Sequence, residues 1–460
     1  MQSLFLISFL GYATLTIVIG WWFTRNQKDN DEFLLAGRSL PFLLTLGTTI
    51  ATMVGTGSSM GAVGKGYLNG WSGSLYGIGG AIGIFLLAFI FSPIRNLEFT
   101  TMADELSHYC QGSKFIKLVI SVLILLSSVG WLGAHVIGGA MYLQFVTELS
   151  PTVCKALVAL SFGIYVIIGG YRAVVWLDSL QAIALFSGFL IVSIMAYSES
   201  GGLIGLNEID RKINEDALKP QTLPSISLIL SIAVGVIATP SFRQRIYTAK
   251  SVSNVKKAFL ISGILYLFFS ILPSVIGMAA YDSNSKLEAG DLAFPYMAMD
   301  VLPAWIGVVI ILAGMSATLS SASSDAIAGV CTAVKDLPIF FKKQGDLIID
   351  NMKHSRICLF AIITGAFCMA LMAQSILGYI ENFVALILAG LCVASILGKL
   401  WKPYNLWGML ASLFSAPVVS AVILSNEKLN TSLGKPIIPS LVISIFFGVT
   451  ATIATRKKEI

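Results

Sequence analysis

Thirteen stretches of membrane-length apolar sequence follow one another along the chain, with short polar connections between them. They lie at residues 3–24, 40–64, 73–94, 115–146, 151–169, 174–198, 224–242, 257–280, 303–334, 356–374, 376–400, 404–425 and 436–455. About 20 apolar residues carry a helix across the hydrocarbon layer, and only helices and closed barrels satisfy their backbone there. With 56% hydrophobic and 12% charged residues, the chain is predicted to be an all-α polytopic membrane protein.

Basic residues are distributed unevenly between the two sets of connections. Of the 30 Lys and Arg residues, twenty-two fall on one side of the predicted topology and eight on the other. Cytoplasmic loops are enriched in Lys and Arg, so we expect an outside N-terminus and a cytoplasmic C-terminus in the plasma (inner) membrane. The first segment lacks a basic n-region and a cleavage site, which predicts a retained helix. The scattered charges indicate no nucleic-acid partner.

No residue pattern for catalysis is visible. The six cysteines form no CxxC pair, the three histidines are far apart, and a phosphate-binding GxxxxGK[ST] loop is absent. The longest connection, about 199–223, is too short for a soluble catalytic domain. The chain is therefore predicted not to be an enzyme or an ATP-driven pump, and to use no cofactor.

Residues 317–325 concentrate polar side chains inside an apolar segment, reading Ala-Thr-Leu-Ser-Ser-Ala-Ser-Ser-Asp. At about 100° per residue, the four serines line one wall of a helix with oxygen atoms. Polar groups inside a membrane are costly unless something binds them, and neutral oxygens suit a monovalent cation such as Na⁺. The alternative is that small serines let helices pack closely.

Two of the apolar segments are interrupted. Segment 40–64 contains five glycines, and segment 224–242 contains Gly235 and the pair Thr239-Pro240. Unwound backbone survives in a membrane only where it lines a site, although glycines also serve as packing faces. The interruptions lie five segments apart, which predicts an inverted repeat of residues 40–198 and 224–400 with binding at the midplane. Residues 3–24 and 404–455 then add one and two helices to a single transporter domain, 1–460.

Four motifs carry a resemblance to a known family. They are Asp-Glu-Phe-Leu-Leu-Ala-Gly-Arg-Ser-Leu-Pro at 31–41, Gly-Gly-Tyr-Arg-Ala-Val-Val-Trp-Leu-Asp-Ser-Leu-Gln at 169–181, Arg-Gln-Arg-Ile-Tyr-Thr-Ala-Lys-Ser at 243–251, and the serine-rich stretch 315–337. In this order they resemble the sodium/solute symporters, with Leu177 in place of the usual threonine. The resemblance implies a LeuT-type fold with 5+5 helices and one N-terminal and two C-terminal additions. It also implies sodium-coupled import of a small organic solute by alternating access.

The resemblance further implies two sodium sites. Site one comprises the carbonyls of Ala51, Val54 and Ala317 with the hydroxyls of Ser320 and Ser321. Five neutral oxygens suit Na⁺ better than a divalent ion, which recruits carboxylates.

Site two, present in some members, comprises Asp178, Ser320, Ser323 and Ser324. The alternative for Asp178 is an ion pair with Arg172 or a lysine. The number of sodium ions per solute, one or two, stays open. Asp325 lies outside the family pattern, and either an exit path or pairing with a basic side chain would account for it.

For the solute, the resemblance implies nine residues: Gly55, Thr56, Gly57, Ser58, Tyr76, Trp131, His135, Glu381 and Asn382. His135 bonded to a helix carbonyl and Trp131 as a packing aromatic are the alternatives. The spacing from Thr239-Pro240 to Arg245 resembles the proline and pantothenate branch, which favours an amino acid or other small organic acid over a hexose. The expected partners are Na⁺, the solute and the lipid bilayer.

Two other functions compete with sodium symport. A proton-coupled symporter of the same fold would use Asp178 without needing the serine hydroxyls. A sodium-liganded membrane sensor would need a cytoplasmic domain to pass its signal on, and only Arg-Lys-Lys-Glu-Ile follows Thr455. Sodium-coupled symport is therefore the leading prediction.

Overall fold

The computed structural model is almost wholly helical over the residues it describes, which are 2–27, 29–215, 222–341, 351–372, 376–433 and 435–456. The first helices are α1 (Gln2–Thr24), α2 (Asn30–Leu35), α3 (Phe42–Met53), α4 (Ala62–Asn69), α5 (Leu75–Leu86), α6 (Met102–His108), α7 (Lys114–Thr147), α8 (Pro151–Glu199) and α9 (Gly202–Glu215). They continue as α10 (Thr222–Ala238), α11 (Pro240–Thr248), α12 (Val252–Phe269), α13 (Ile271–Ser283), α14 (Ala293–Tyr296), α15 (Ala304–Lys335) and α16 (Pro338–Phe341). The last are α17 (Met352–Ala370), α18 (Ile376–Phe383), α19 (Ala389–Leu400), α20 (Leu406–Leu424), α21 (Glu427–Ser432) and α22 (Ile437–Thr455).

Each of the thirteen predicted segments falls mainly on helix, but the helices are divided differently. Nine helical stretches of the described chain are long and apolar enough to span a membrane, or ten if the bent pair α10 and α11 is one span. The segments 151–169 and 174–198 both lie in α8, whose backbone leaves helical geometry at Gly170 with φ 58° and ψ −156°. Helix α3, in contrast, has only 12 residues. The count of thirteen and the repeat layout therefore stay predictions.

Helix α15 lies at the centre of the bundle, where it packs against α3, α7, α8 and α17. Of its most apolar 18-residue window, 83% is buried, against 22% for α1. The serines of α15 therefore face other helices, and lipid could not reach them.

Helix α1 packs on α8, and α20 pairs with α22 beside α19. Large apolar side chains of these peripheral helices, including Leu4, Ile7, Phe414 and Phe446, are exposed. Exposed apolar side chains at this density indicate a surface that lipid covers.

Both predicted interruptions are real breaks in the described structure. Helix α3 ends at Met53 and gives way to a π-helical turn, Gly57–Gly61, before α4. Helix α10 ends at Ala238, and α11 leaves it at 43°. Leu40 connects the two regions: its amide donates to the Thr248 carbonyl at 3.1 Å, and its own carbonyl accepts from the Lys250 amide at 2.9 Å. The segments before α3 and after α11 are thus tied by backbone hydrogen bonds.

Candidate functional site

The break after α3 exposes backbone carbonyls to the serines of α15. Val54 ends the helix with φ −93° and ψ 70°, so the carbonyls of the last turn lack the usual amide partners. Two serine hydroxyls donate to them: Ser320 to the Ala51 carbonyl at 3.1 Å, and Ser321 to the Thr52 carbonyl at 3.2 Å. The helix break and the serine run therefore face each other.

Four of the five residues predicted for site one meet in this contact. Ser320 donates to the Ala317 carbonyl at 3.0 Å as well as to Ala51, and Ser321 lies 3.5 Å from the Ala51 carbonyl. Val54 is fully buried at the break, but no hydrogen bond in the described structure joins it to the others. Oxygens about 3.0–3.5 Å apart are spaced like neighbouring ligands of one ion bound at roughly 2.4 Å.

The residues predicted for site two are divided. Asp178 Oδ2 accepts from the Ser324 hydroxyl at 3.0 Å and from the Thr48 hydroxyl at 2.6 Å. Ser323 instead donates to the Ser320 carbonyl at 2.9 Å. Asp178 is fully buried, and its other oxygen, Oδ1, has no hydrogen-bond partner. A buried carboxylate with an unpaired oxygen requires a nearby positive charge or a proton.

The basic side chain next to Asp178 is that of Arg245. Arg172, the partner named as the alternative from the sequence, is exposed. Arg245 Nη2 lies 3.6 Å from Asp178 Oδ2, and both side chains are wholly buried. The sequence identified a basic partner as the alternative for Asp178, and the structure supplies it from α11.

A cavity adjoins site one and holds five of the nine residues predicted for the solute. It encloses about 530 Å³ of space between atoms, open mouth included. Its lining comprises Thr52, Met53, Gly55, Gly57, Tyr76, Trp131, His135, Ile232, Gly235, Val236, Thr239, Ser241, Phe242, Tyr266, Ser321 and Asp325. Both broken helices contribute, because Gly55 and Gly57 follow α3 while Gly235 and Thr239 surround the break after α10.

The other four predicted solute residues are not among the described residues that line the cavity. The Thr56 hydroxyl contacts His135 Nδ1 at 3.0 Å and Thr318 at 3.1 Å, and Ser58 donates back to the carbonyls of its own segment. Asn382 is half-buried on α18 and is not among the described residues that line the cavity. The side chain of Glu381 lies outside the described part of the structure.

His135 and Asp325 form a buried pair on the cavity wall. His135 Nε2 donates to Asp325 Oδ2 at 3.2 Å, since a carboxylate only accepts, and the side chains are 6% and 5% exposed. Trp131 stacks near His135 and donates through Nε1 to the Thr239 hydroxyl at 2.9 Å. His135 is thus held by Asp325 and Thr56 and not by a helix carbonyl, and Asp325 faces the cavity.

A second buried network lies where α6 and α11 meet. Glu105 accepts from Arg243 Nη1 at 3.0 Å and from the hydroxyls of Tyr109 and Tyr247. Lys117 pairs with Asp336 at 3.0 Å and with Asp104. These pairs join the start of α7 to the end of α15, so they hold that end of the bundle together.

The serine–carbonyl contact, the two helix breaks and the adjoining cavity together suggest an ion-coupled transporter, and comparison with known proteins decides its family. A model of the sodium:solute symporter family matches residues 33–415. The chain belongs to the sodium:solute symporter family. The resemblance drawn from the four motifs is confirmed.

Individual members of the family extend this result. The chain is 26% identical to the uncharacterized symporter YwcA of Bacillus subtilis, over 89% of this chain and 84% of that one. It is also 26% identical to the sodium/proline symporter of Salmonella typhimurium, over 72% and 70%. A solved Na⁺-coupled sialic acid symporter superimposes with a TM-score of 0.81 at 20% identity, covering 98% and 97% of the two chains. At that identity the likeness shows a shared fold.

Three functional candidates of this family member were not identified from the sequence: Thr48 and Thr52 of α3, and Arg245 of α11. Thr48 contacts Asp178 and Arg245, and Thr52 contacts Arg245. Arg245 stands in the quoted motif 243–251, but its partners are distant in the chain. The available signal was two arginines close together in a sequence with 12% charged residues. Only the helix packing shows what such a charge faces.

Proposed function

We propose that this protein is a sodium-coupled symporter that imports a small organic solute by alternating access. The observation that carries the proposal is the position of Ser321. Its hydroxyl contacts the Ala51 carbonyl of site one and the adjacent Thr52 carbonyl, and its side chain also lines the cavity. An ion and a solute bound on either side of one residue stabilise each other, and that coupling free energy is reciprocal.

Site one is proposed as the principal sodium site, made by Ala51, Val54, Ala317, Ser320 and Ser321. The two hydroxyls now donate to the carbonyls, which is how oxygen ligands satisfy one another without an ion. When Na⁺ binds, each hydroxyl turns its proton away and offers a lone pair. No carboxylate contacts this group in the described structure, which suits a monovalent ion.

Site two is proposed to take a second sodium through Asp178, Ser320, Ser323 and Ser324. The buried, unpaired Oδ1 of Asp178 supports it, because a cation there would complete the coordination of the carboxylate. Two sodium ions per solute would then drive uptake. Ser320 would be shared, its hydroxyl facing site one and its carbonyl accepting from Ser323.

Asp178→Asn keeps the size of the side chain and removes its charge. We expect the Hill coefficient for sodium in transport to fall from near two towards one, while site one still binds. The measurement is initial uptake against sodium concentration in proteoliposomes. A wild-type Hill coefficient of one, with a reversal potential that fits a single ion, would leave Asp178 as a structural residue.

The solute is proposed to be an amino acid or a similar small acid that also carries an amine. Asp325 gives the cavity a carboxylate, and neither Lys nor Arg is among its described lining residues. An ammonium group complements that carboxylate, whereas a simple organic acid would meet like charge. The relative from Salmonella typhimurium is a sodium/proline symporter, which is compatible with a solute of this class.

Asp325→Asn tests the proposed amine contact. A charge-assisted hydrogen bond contributes about 1.5–3 kcal/mol, so affinity for an amine-bearing solute should fall roughly ten- to a hundred-fold. The preference for that solute over its deaminated analogue should disappear. Competition binding with such a matched pair is the measurement, and sodium affinity without solute serves as control. Unchanged preference would remove Asp325 from solute recognition.

The protein is proposed to lie in the plasma (inner) membrane with its N-terminus outside and its C-terminus in the cytoplasm. The asymmetry of Lys and Arg between the connections supports this orientation. The network of Glu105, Arg243 and Lys117 then lies at the cytoplasmic end, where it would close the path from the cavity.

Uptake into proteoliposomes tests the function itself. A pool of labelled small metabolites is offered with an inward sodium gradient, with equal sodium on both sides, and with a proton gradient in potassium buffer. We expect accumulation of one solute class under the sodium gradient alone. Accumulation under the proton gradient would favour the proton-coupled alternative, and sodium-dependent binding without transport would favour the sensor.

A further inference from the structure

The Arg245 guanidinium and the Asp178 carboxylate are bridged by two hydroxyl groups. Thr48 Oγ1 donates to Asp178 Oδ2 at 2.6 Å and accepts from Arg245 Nη2 at 2.9 Å. Ser324 Oγ donates to the same carboxylate oxygen at 3.0 Å and accepts from the same nitrogen at 2.7 Å. The direct separation of 3.6 Å is too long for a hydrogen bond, so the charges interact through space and through these hydroxyls.

The hydroxyl of Ser324 is surrounded by polar neighbours in this arrangement. Its proton goes to Asp178, and it accepts from the Thr52 hydroxyl at 3.2 Å. Arg245 Nη2 lies 2.7 Å from it and shares two protons among Ser324 Oγ, Thr52 Oγ1 and both oxygens of Thr48. Sodium could therefore coordinate Ser324 Oγ only after Arg245 or Thr52 has withdrawn.

Electrostatic repulsion opposes simultaneous binding of Arg245 and a sodium ion beside Asp178. Two cations about 4 Å apart repel by roughly 4 kcal/mol at an effective dielectric constant of 20. Asp178 of α8 supplies one negative charge beside the guanidinium, and Asp325 of α15 is hydrogen-bonded to His135 on the cavity wall. One carboxylate balances one cation, so the Asp178 carboxylate pairs with either Arg245 or a sodium ion.

We infer that Arg245 is an internal cation that competes with sodium for Asp178. This inference rests on the proposed function, specifically on site two. In the sodium-free protein, Arg245 neutralises the buried carboxylate, and a second sodium ion displaces the guanidinium when it binds.

The location of Arg245 makes such an exchange possible. It stands on α11, the half-helix beyond the Thr239 break, and Nη1 donates to the Ser241 carbonyl of the same helix at 2.5 Å. Its Nη2 reaches α3 through Thr48 and Thr52 and α15 through Ser324. Ser241 also lines the solute cavity. Withdrawal of the guanidinium would thus remove its hydrogen bonds from α11 to α3 and α15, next to the solute cavity.

Each member of the pair has one buried polar atom without a hydrogen-bond partner. Asp178 Oδ1 and Arg245 Nε are buried without hydrogen-bond partners. A purely structural ion pair gains most when every donor and acceptor is satisfied. In the neighbouring pair of Arg243 and Glu105, Arg243 Nη2 also lacks a partner, but both oxygens of the carboxylate accept hydrogen bonds. The spare Oδ1 is the atom that would first meet an incoming sodium ion.

Equilibrium binding of radioactive sodium to the purified, solute-free protein tests the competition. Wild type should bind one sodium tightly, at site one, and a second weakly. Arg245→Gln removes the charge but keeps donors, so the second sodium should bind at least tenfold more tightly. Arg245→Lys keeps a cation and should resemble wild type. In the double variant Arg245→Gln with Asp178→Asn, the gain should vanish.

Thr52→Val provides a second route if Arg245→Gln fails to fold. Valine has the shape of threonine, and the change removes one acceptor of Arg245 together with the hydroxyl that donates to Ser324, while every proposed ligand of site two is kept. Second-site affinity should rise several-fold. Unchanged second-site binding in a folded Arg245→Gln or Thr52→Val variant, or a gain that survives Asp178→Asn, would overturn the inference. Absence of saturable sodium binding in wild type would instead contradict the proposed function.

Discussion

Gly57→Leu is expected to abolish solute binding while the protein still folds and inserts. Gly57 lines the cavity at the break after α3, and a Cβ there would overlap the Tyr76 hydroxyl. A leucine side chain must therefore enter the cavity and fill the space of the solute. Sodium-dependent uptake and solute binding should both drop below detection, while sodium binding at site one persists.

The matched control is Gly11→Leu. Gly11 lies on the exposed face of α1, and a Cβ there meets nothing within 4 Å. Its substitution adds the same side chain where lipid accommodates it, so expression, insertion and uptake should remain normal. If purified Gly57→Leu bound solute with wild-type affinity, the solute site would lie outside this cavity.

Ser321→Ala is expected to raise the sodium concentration for half-maximal transport roughly ten- to a hundred-fold. The change removes one hydroxyl ligand of site one, and a hydrogen-bond-like contact to a charge contributes about 1.5–3 kcal/mol. Solute affinity at saturating sodium should change much less, because the cavity loses one oxygen of its lining. Uptake measured over a sodium series gives both quantities.

Ser316→Ala is the control for a lost serine hydroxyl on the same helix. Ser316 is buried, and its hydroxyl lies 2.9 Å from the Leu312 carbonyl and from the Tyr12 hydroxyl, with no hydrogen bond to the oxygens of site one in the described structure. Its replacement should leave the sodium dependence unchanged. Equal sodium curves for wild type and Ser321→Ala would remove Ser321 from the sodium site.

The contact between the serines of α15 and the broken helix was predictable because each of its two halves is local in sequence. The spacing of Ser320 and Ser321 on one helix fixes their direction, and the glycines after Met53 predict the exposed carbonyls of the broken helix. The structure adds the Thr52 carbonyl as a contact of Ser321. Which carbonyl a hydroxyl reaches depends on the axial offset of two packed helices, and sequence spacing does not contain that quantity.

The partners of Asp178 and Asp325 could not be predicted from the sequence, because they depend on packing between distant segments. Asp178 and Arg245 are 67 positions apart in the chain, and the bend after Thr239 determines what Arg245 faces. Asp325 is one turn beyond Ser321, so the serine wall could have included it. Its pairing with His135 of α7 required the crossing of α7 and α15. Helical periodicity identifies the faces of single helices, but the partner of each face comes from the fold.

The division of the chain into membrane spans was also only partly predictable from the sequence. Hydropathy located all thirteen apolar segments, and each falls mainly on helix. It separated segments 151–169 and 174–198 where the backbone leaves helical geometry at Gly170, but it could not show that α3 stops after 12 residues. The end of α3 depends on the backbone dihedral angles of single residues, which hydropathy averages away.

The central claim is that sodium and solute share the wall formed by Ser321. Its most direct test measures solute affinity across a sodium series and sodium affinity across a solute series, both on the purified protein. We expect each ligand to tighten the other by the same factor, and Ser321→Ala to reduce that factor in both directions. Solute affinity that does not depend on sodium, in wild type, would contradict the account.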